Sequence, residues 1–334
     1  MVATIKDIAK ITGVSTATVS RVINQLGGYG NETEKKVLAA ANQLGYSKNE
    51  NAISLVTNRS RTIGIVIPNV NTSFYGDIVN GIEDIAYKHQ YSVILTHAGV
   101  EGIRLTNSLK VMGNRRVDGL IIVSINLDTQ QLALIKRMNL PTILLSTQAH
   151  DQSLPFIKVS DHKATFAATN YLLRQGHRKI GLAGLNPKDP IAGAPRIQGY
   201  KEAIEANQLP VEKDLVWYGD FSFESGKMAI QHFFEKKILP SAIVCASDET
   251  ALGVISAAFN HGIKVPEDLS VIGYDNTSIA WMATPALTTI KQPFYEMGAE
   301  GCLAVIESLV KEKKIESKIL PFELIERQTV KSKF

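Results

Sequence analysis

The sequence predicts an α/β fold, with an N-terminal all-α helix-turn-helix headpiece followed by two doubly wound parallel-sheet subdomains. From Thr62 onward, short apolar runs alternate with amphipathic helical stretches: TIGIVIP, SVILTH, DGLIIVS and TILLS, then KIGLAG, LVWYGD, AIVCAS and LSVIGYD. Such alternation implies parallel strands with helices on both faces. The runs fall into two groups with a break near Ser160. Ahead of them, TIKDIAKITGVSTATVSRVIN, from Thr4 to Asn24, spells two short amphipathic helices joined by a glycine.

In the headpiece, Ile5, Ile8, Ala9 and Ile11 share one face of the first helix, and Thr4 with Asp7 three residues on supplies a start close to a capping box. Gly13 turns the chain. Ser15 caps the second helix, whose inner face carries Val19, Val22 and Ile23 while Thr16, Ala17, Thr18, Ser20 and Arg21 face outward. A third helix is expected from about Thr33 to Leu44. Small hydroxyl residues and one arginine on an outward face suit entry into a DNA major groove. They let the backbone approach and can bond phosphates or base edges. The candidate DNA-binding residues here are Thr4, Ser15, Thr16, Ala17, Thr18, Ser20, Arg21, Asn24 and Thr33.

Charge agrees with that division of labour. Residues 1–61 hold eight Lys and Arg against four Asp and Glu, which accounts for the +4 of the whole 334-residue chain and leaves the remainder neutral. A basic headpiece on a neutral core is what sequence-independent phosphate contact requires. The 45% hydrophobic content is ample for buried cores in two or three units. No apolar run approaches the roughly 20 residues that span a bilayer, and the chain begins directly on the helical pattern, so a cytoplasmic protein is expected. Cys245 and Cys302 lie in apolar segments and read as reduced, buried residues. There is no G-x-S-x-G elbow, no G-x-G-x-x-G opening a first helix, no P-loop and no H-E-x-x-H, and the seven histidines lack ligand spacing. Neither enzyme activity, metal nor cofactor is expected.

The run DIAKITGVSTATVSRVIN closely resembles the DNA-binding headpiece of the lactose-repressor family of bacterial transcription regulators. LGYSKNENAISLVTNRS resembles that family's hinge, and SRTIGIVIPNVNTSFYGDIVNGIEDIA resembles the start of its ligand-binding core. The resemblance continues through GHRKIGLAG, RIQGYKEAI, SDETALGVISAAFNHGIKVPEDLSVIGYDNT and PALTTIKQP, covering essentially the whole chain. It implies the fold of periplasmic sugar-binding proteins, with three chain crossings between subdomains. The implied domains are a headpiece over 1–47, a hinge over 48–61, an N-terminal core subdomain over 62–159 and 293–321, and a C-terminal one over 160–292 and 322–334. The helix from Tyr295 to Val310 would return to the first subdomain. In the hinge, the resemblance assigns DNA contacts to Asn49, Ala52 and Leu55, with Leu55 as a minor-groove wedge that inserts when two copies meet on an operator. Two departures weaken this hinge: Lys48 replaces a usual proline, and Ile53 stands where a basic or polar residue is common.

For the effector, the resemblance points to Phe74, Ser146, Arg196, Phe221, Ser247, Asp275 and Gln292. The chemistry suits a hydroxylated ring: a guanidinium fork, a carboxylate that accepts from adjacent hydroxyls, and aromatic faces to stack on. Ser247 and Ser146 replace the asparagine and aspartate of the galactoside-sensing namesake. A different sugar or sugar derivative is therefore expected, with a purine or other metabolite as the alternative. Some members instead bind a serine-phosphorylated carrier protein through the helix after QP. Tyr295 and Glu296 fit that pattern, whereas Glu300 and Leu303 replace an apolar residue and an arginine, which disfavours a phosphoprotein partner. The chain ends soon after Gln328 without a leucine-rich tail, so a homodimer on a near-palindromic operator is expected. Trp281 and Met282 lie near family dimer contacts, with a core or pocket role as the alternative.

Overall fold

Thr4 and Ser15 set the starts of the first two helices. In α1, Ile5–Thr12, Thr4 N donates to Asp7 Oδ2 (2.9 Å) and Asp7 N donates back to Thr4 Oγ1 (3.4 Å), which completes a capping box. Gly13 ends the helix at φ 70°, a left-handed conformation that costs glycine little. Thr18 N donates to Ser15 Oγ (3.1 Å) at the head of α2, Thr16–Ile23. The third helix, α3, spans Asn31–Gln43 and so begins two residues before the expected Thr33. Gly30 precedes it, with no side-chain cap, and Glu32 and Glu34 complement the N-terminal dipole in its place. Ile8, Val19, Val22, Val37, Ala40 and Ala41 form the core of this unit. Ile11 departs from expectation, being 52% exposed. Thr12, four residues after Ile8, takes the inner position and donates its hydroxyl to Ile8 O (2.7 Å).

The computed structural model describes residues 3–46, 59–69, 74–99 and 102–334. The chain forms two compact units, residues 1–60 and residues 61–334. The hinge residues Lys48, Asn49, Ala52, Ile53 and Leu55 lie outside the described residues.

The second unit contains two six-stranded sheets. The first has β1 (Thr62–Ile67), β2 (Ser92–His97), β3 (Gly119–Val123), β4 (Thr142–Leu145), β5 (Phe156–Val159) and β11 (Lys318–Leu320) in the order β11-β5-β4-β3-β1-β2. The second has β6 (Ile180–Leu185), β7 (Val216–Tyr218), β8 (Ala242–Cys245), β9 (Ser270–Asp275), β10 (Thr288–Lys291) and β12 (Glu323–Ile325) in the matching order β12-β10-β9-β8-β6-β7. All neighbours run parallel except β10 and β12. Four short strands, β5, β10, β11 and β12, were not expected from the apolar runs. They lack continuous apolar character: β5 carries the buried Lys158, and β10 the buried Thr288 and Thr289.

Helices α4 (Phe74–Lys88), α5 (Leu105–Asn114) and α6 (Thr129–Met138) connect strands of the first sheet. Helices α7 (Asp161–Arg174), α8 (Gly193–Ala206), α9 (Phe223–Glu235), α10 (Asp248–Asn260) and the short α11 (Ser278–Met282) serve the second. Helix α12, Phe294–Lys311, follows β10 of the second sheet yet packs on α4 and on β3 and β4 of the first. Gly81 and Gly298 bring α4 and α12 together: a Cβ at either would lie about 2 Å from a carbonyl of the other helix. Gly226 and Gly253 do the same for α9 and α10, against Thr250 O and Phe223 O. Trp281 and Met282 are 59% and 61% exposed, which removes the alternative of a core role. Both cysteines are buried free thiols. Among the described residues, no helix is long and apolar enough to cross a membrane.

Candidate functional site

On α2, Thr16, Ala17 and Arg21 are exposed while Val19 and Val22 are fully buried, so the helix holds its groove-sized side chains away from its own core. The Arg21 guanidinium folds over the glycine-rich turn, where a Cβ on Gly28 would meet it at 3.2 Å. Thr18 and Ser20 are half-buried and engage Ser15 Oγ and Asn24 Nδ2 respectively. Asn24 closes the helix as its C-cap, and Thr33 lies within the first turn of α3.

In the second unit, the C-terminal ends of strands from both sheets face a cavity of ≈ 390 Å³. Ligand clefts in open α/β sheets occur at such strand ends. The structure brings Phe74, Ser146, Arg196, Phe221, Ser247, Asp275 and Gln292 to its wall. Several wall residues sit just past a strand end with left-handed backbone: Ser124 after β3 (φ 50°), Ser146 after β4 (φ 54°), Phe221 (φ 68°) and Asp275 at the end of β9 (φ 110°). Such conformations are costly for non-glycine residues and persist where surrounding structure enforces them.

Arg196 is anchored within the protein. Its Nε donates to Asp161 Oδ1 (2.8 Å), its Nη1 to Ala246 O (2.7 Å), and the guanidinium carbon lies 3.6 Å from the centre of the Tyr274 ring. Asp161 Oδ2 pairs with Lys158 Nζ at 2.9 Å, and that ammonium also donates to Ile191 O. Burial works against the Asp161 carboxylate, but the charges of Arg196 and Lys158 outweigh it and hold the group below the usual carboxylate range. Asp275 is different. Gln292 Nε2 donates to its Oδ1 (2.8 Å), yet burial, opposed by Arg196 and reinforced by nearby Asp248, raises it to about 8.

Phe74 stacks on Phe294, with ring centres 4.6 Å apart, and also meets the Tyr75 ring at 4.3 Å, so the cavity wall here is an aromatic cluster. Ser247 works mainly in the fold: its hydroxyl caps α10, accepting from Thr250 N (3.0 Å) and donating to Phe221 O (2.7 Å). Its one donor is therefore spent. Trp281 and Met282 are not at the cavity.

Sequence reasoning missed the acidic part of the wall: Asp189, Asp220, Asp248 and Glu249. Asp189 accepts from Ile191 N, Ala192 N and Gly193 N at the start of α8, and also from Asn126 Nδ2 (3.1 Å) in the loop after β3. Asp248 accepts from Thr277 N (2.7 Å), Thr277 Oγ1 and Thr289 Oγ1, while burial raises its carboxyl to about 6. The available signal was an acid beside each helix start following a strand.

A helix-turn-helix unit followed by paired sheets around a polar cleft defines a ligand-responsive DNA-binding regulator. Residues 4–49 match the model of bacterial regulatory proteins of the lacI family, and residues 169–330 match the periplasmic binding protein-like domain. The HTH-type transcriptional regulator RegA of Clostridium acetobutylicum is 37% identical, over 99% of this chain and 100% of its own length. Catabolite control protein A of Priestia megaterium is 34% identical, over 98% of this chain and 99% of its own. The crystal structure of the Lac repressor dimer bound to operator and the anti-inducer ONPF aligns with a TM-score of 0.88 at 30% identity, covering 99% of this chain and 100% of that one. The complex of transcriptional regulator CelR with cellobiose aligns at 0.74 and 27% identity, over 98% and 99%. The chain belongs to the lacI family of bacterial regulatory proteins. It is a helix-turn-helix transcription regulator of the repressor kind, with a periplasmic-binding-protein-like effector domain, acting in carbohydrate or metabolite control.

Proposed function

We propose that this regulator binds a near-palindromic operator as a cytoplasmic homodimer and responds to a sugar or sugar derivative in the cleft. The observation that carries the reading is the convergence of Phe74, Ser146, Arg196, Phe221, Ser247, Asp275 and Gln292 on one cavity. Aromatic faces with a carboxyl group and an amide suit a polyhydroxylated ring, and the similarity to a cellobiose-bound regulator supports a sugar. A phosphocarrier corepressor is disfavoured, because Glu300 on α12 adds a carboxylate where the family's phosphoprotein binders are apolar and pairs with Lys318 at 2.6 Å. We divide the core as 62–159 with 293–321 and 160–292 with 322–334. The operator contacts are Thr4, Ser15, Thr16, Ala17, Thr18, Ser20, Arg21, Asn24 and Thr33, followed by Asn49, Ala52 and Leu55. Exposed Trp281 and Met282 suit a contact between copies.

Effector binding shifts the population between two arrangements of the subdomains and so alters how two headpieces meet DNA. Operator titration of full-length protein with and without sugar tests this. Asp275→Asn should bind operator like the parent but lose the sugar response, and Arg21→Ala should lose about 1–3 kcal/mol of specific binding if it makes a bidentate base contact. Unchanged operator affinity for Arg21→Ala would remove α2 from the recognition role.

A further inference from the structure

The cleft lies where helix N-termini converge, an arrangement that ordinarily invites phosphate, since each terminus presents free N–H groups and about half a positive charge. In this chain the termini of α7, α8, α9 and α10 are already supplied with carboxylates. Helix α7 opens with Asp161. The Asp189 carboxylate takes three N–H groups at the head of α8. Asp220 takes Ser222 N and the Ser222 and Ser225 hydroxyls at the head of α9, and these bonds hold it below the usual carboxylate range. Helix α10 opens with Asp248 and Glu249. Asp189, Asp220, Asp248, Glu249 and Asp275 all line the cavity. Among the described residues, Arg196 is the one basic residue on the wall, and its charge is already met by Asp161.

We propose that the cleft takes an uncharged or amine-bearing polyhydroxylated ligand and turns away the phosphorylated and carboxylated forms of the same ring. This rests on the sugar reading given above. An incoming anion would meet Asp189, Asp220, Asp248 and Glu249, with Asp275 holding its proton below about pH 8, and would have to displace Asp189 or Asp220 to reach the N–H groups they hold. A hydroxyl or ammonium group, by contrast, donates to Asp275 and to Glu249, whose carboxylate makes no hydrogen bond among the described residues. The acids are ordinary helix-start residues taken singly; their presence together on the cavity wall at the starts of α8, α9 and α10 is what sets the ligand's charge.

The test is thermal unfolding and calorimetry of the full-length protein at constant ionic strength. The probes are cellobiose, D-glucose, D-ribose and D-glucosamine against glucose 6-phosphate, ribose 5-phosphate and glucuronate. A neutral or amino sugar should bind, with its anionic counterpart weaker by about a hundredfold or more. A phosphorylated or carboxylated form that binds as tightly as its parent sugar overturns the proposal and leaves the sugar reading standing. Silence across all seven probes, or sugar binding untouched by Asp275→Asn, overturns the sugar reading and the proposal with it. Glu249→Gln should lower the preference for glucosamine over glucose several-fold, and an unchanged ratio counts against the role given to that carboxylate.

Discussion

Asn126 donates through Nδ2 to Asp189 Oδ1 at 3.1 Å, a bond that runs from the loop after β3 of the first sheet to the loop that starts α8 beside the second. Because Asp189 also holds the first N–H groups of α8, the helix that carries Arg196, the cleft wall and the opposite sheet are tied at one carboxylate.

Asn126→Ala should therefore loosen the cleft at little cost in stability. Asn126 is exposed, so the loss should stay within about 1 kcal/mol. Small-angle scattering of the variant should report a larger mean dimension than the parent without ligand; an identical profile would show that the bond does not hold the two sheets together.

The buried set of Lys158, Asp161 and Arg196 should behave in the opposite way. Asp161→Ala leaves two buried cations without their shared carboxylate and should cost about 3–5 kcal/mol, measured by urea unfolding at neutral pH. Since the folded-state carboxyl of Asp161 is held below its ordinary value, its contribution is present at neutral pH and is lost as the pH falls through the folded value. The variant's deficit should shrink on acidification.

Asp275 has the reverse sign. Its carboxyl is raised to about 8 by burial, so between about pH 4 and pH 8 the folded state holds a proton that the unfolded state has released. This group therefore favours the folded state at low pH, and its contribution declines as pH rises through that window. Asp275→Asn should flatten the slope of melting temperature between pH 5 and 8; a parallel slope in the variant would assign the proton elsewhere.

The glycine crossings give a packing prediction. A Cβ at Gly253 would stand 1.9 Å from Phe223 O, so Gly253→Ala must push α9 and α10 apart. A loss of about 1–3 kcal/mol is expected from such overpacking. At Gly113, where nothing lies within 4 Å of an added Cβ, alanine should be neutral or slightly stabilising in the same unfolding measurement.

Features set by neighbours in the chain could be read from the sequence, and features set by distant partners could not. The Thr4–Asp7 box and the Ser15 cap each close within three residues, so their pattern sufficed. Ile11 was misplaced because the inner stripe of α1 leans towards Thr12, a choice made by the helices that pack on it. Strands β5 and β10 escaped the apolar pattern because their polar side chains are satisfied by remote groups: Lys158 by Ile191 O, Thr289 by Asp248. At the cleft, resemblance supplied seven wall residues, but Asp189 and Asp220 owe their place to helix starts arriving from separate parts of the chain. Ser247 shows the converse: a residue singled out for ligand contact spends its hydroxyl on the fold.

Only Pro321 and Phe322 separate β11, an edge strand of the first sheet, from β12, an edge strand of the second, and the tail beyond them runs back along the second sheet, where Lys333 N reaches Gln175 O and His177 holds Lys331 O. Neither lobe can thus be expressed as one uninterrupted stretch of polypeptide. Dissecting the sensor calls for splitting and rejoining the chain near 160, 292 and 321, and any reporter appended after Phe334 needs a spacer long enough to leave that closing segment in place.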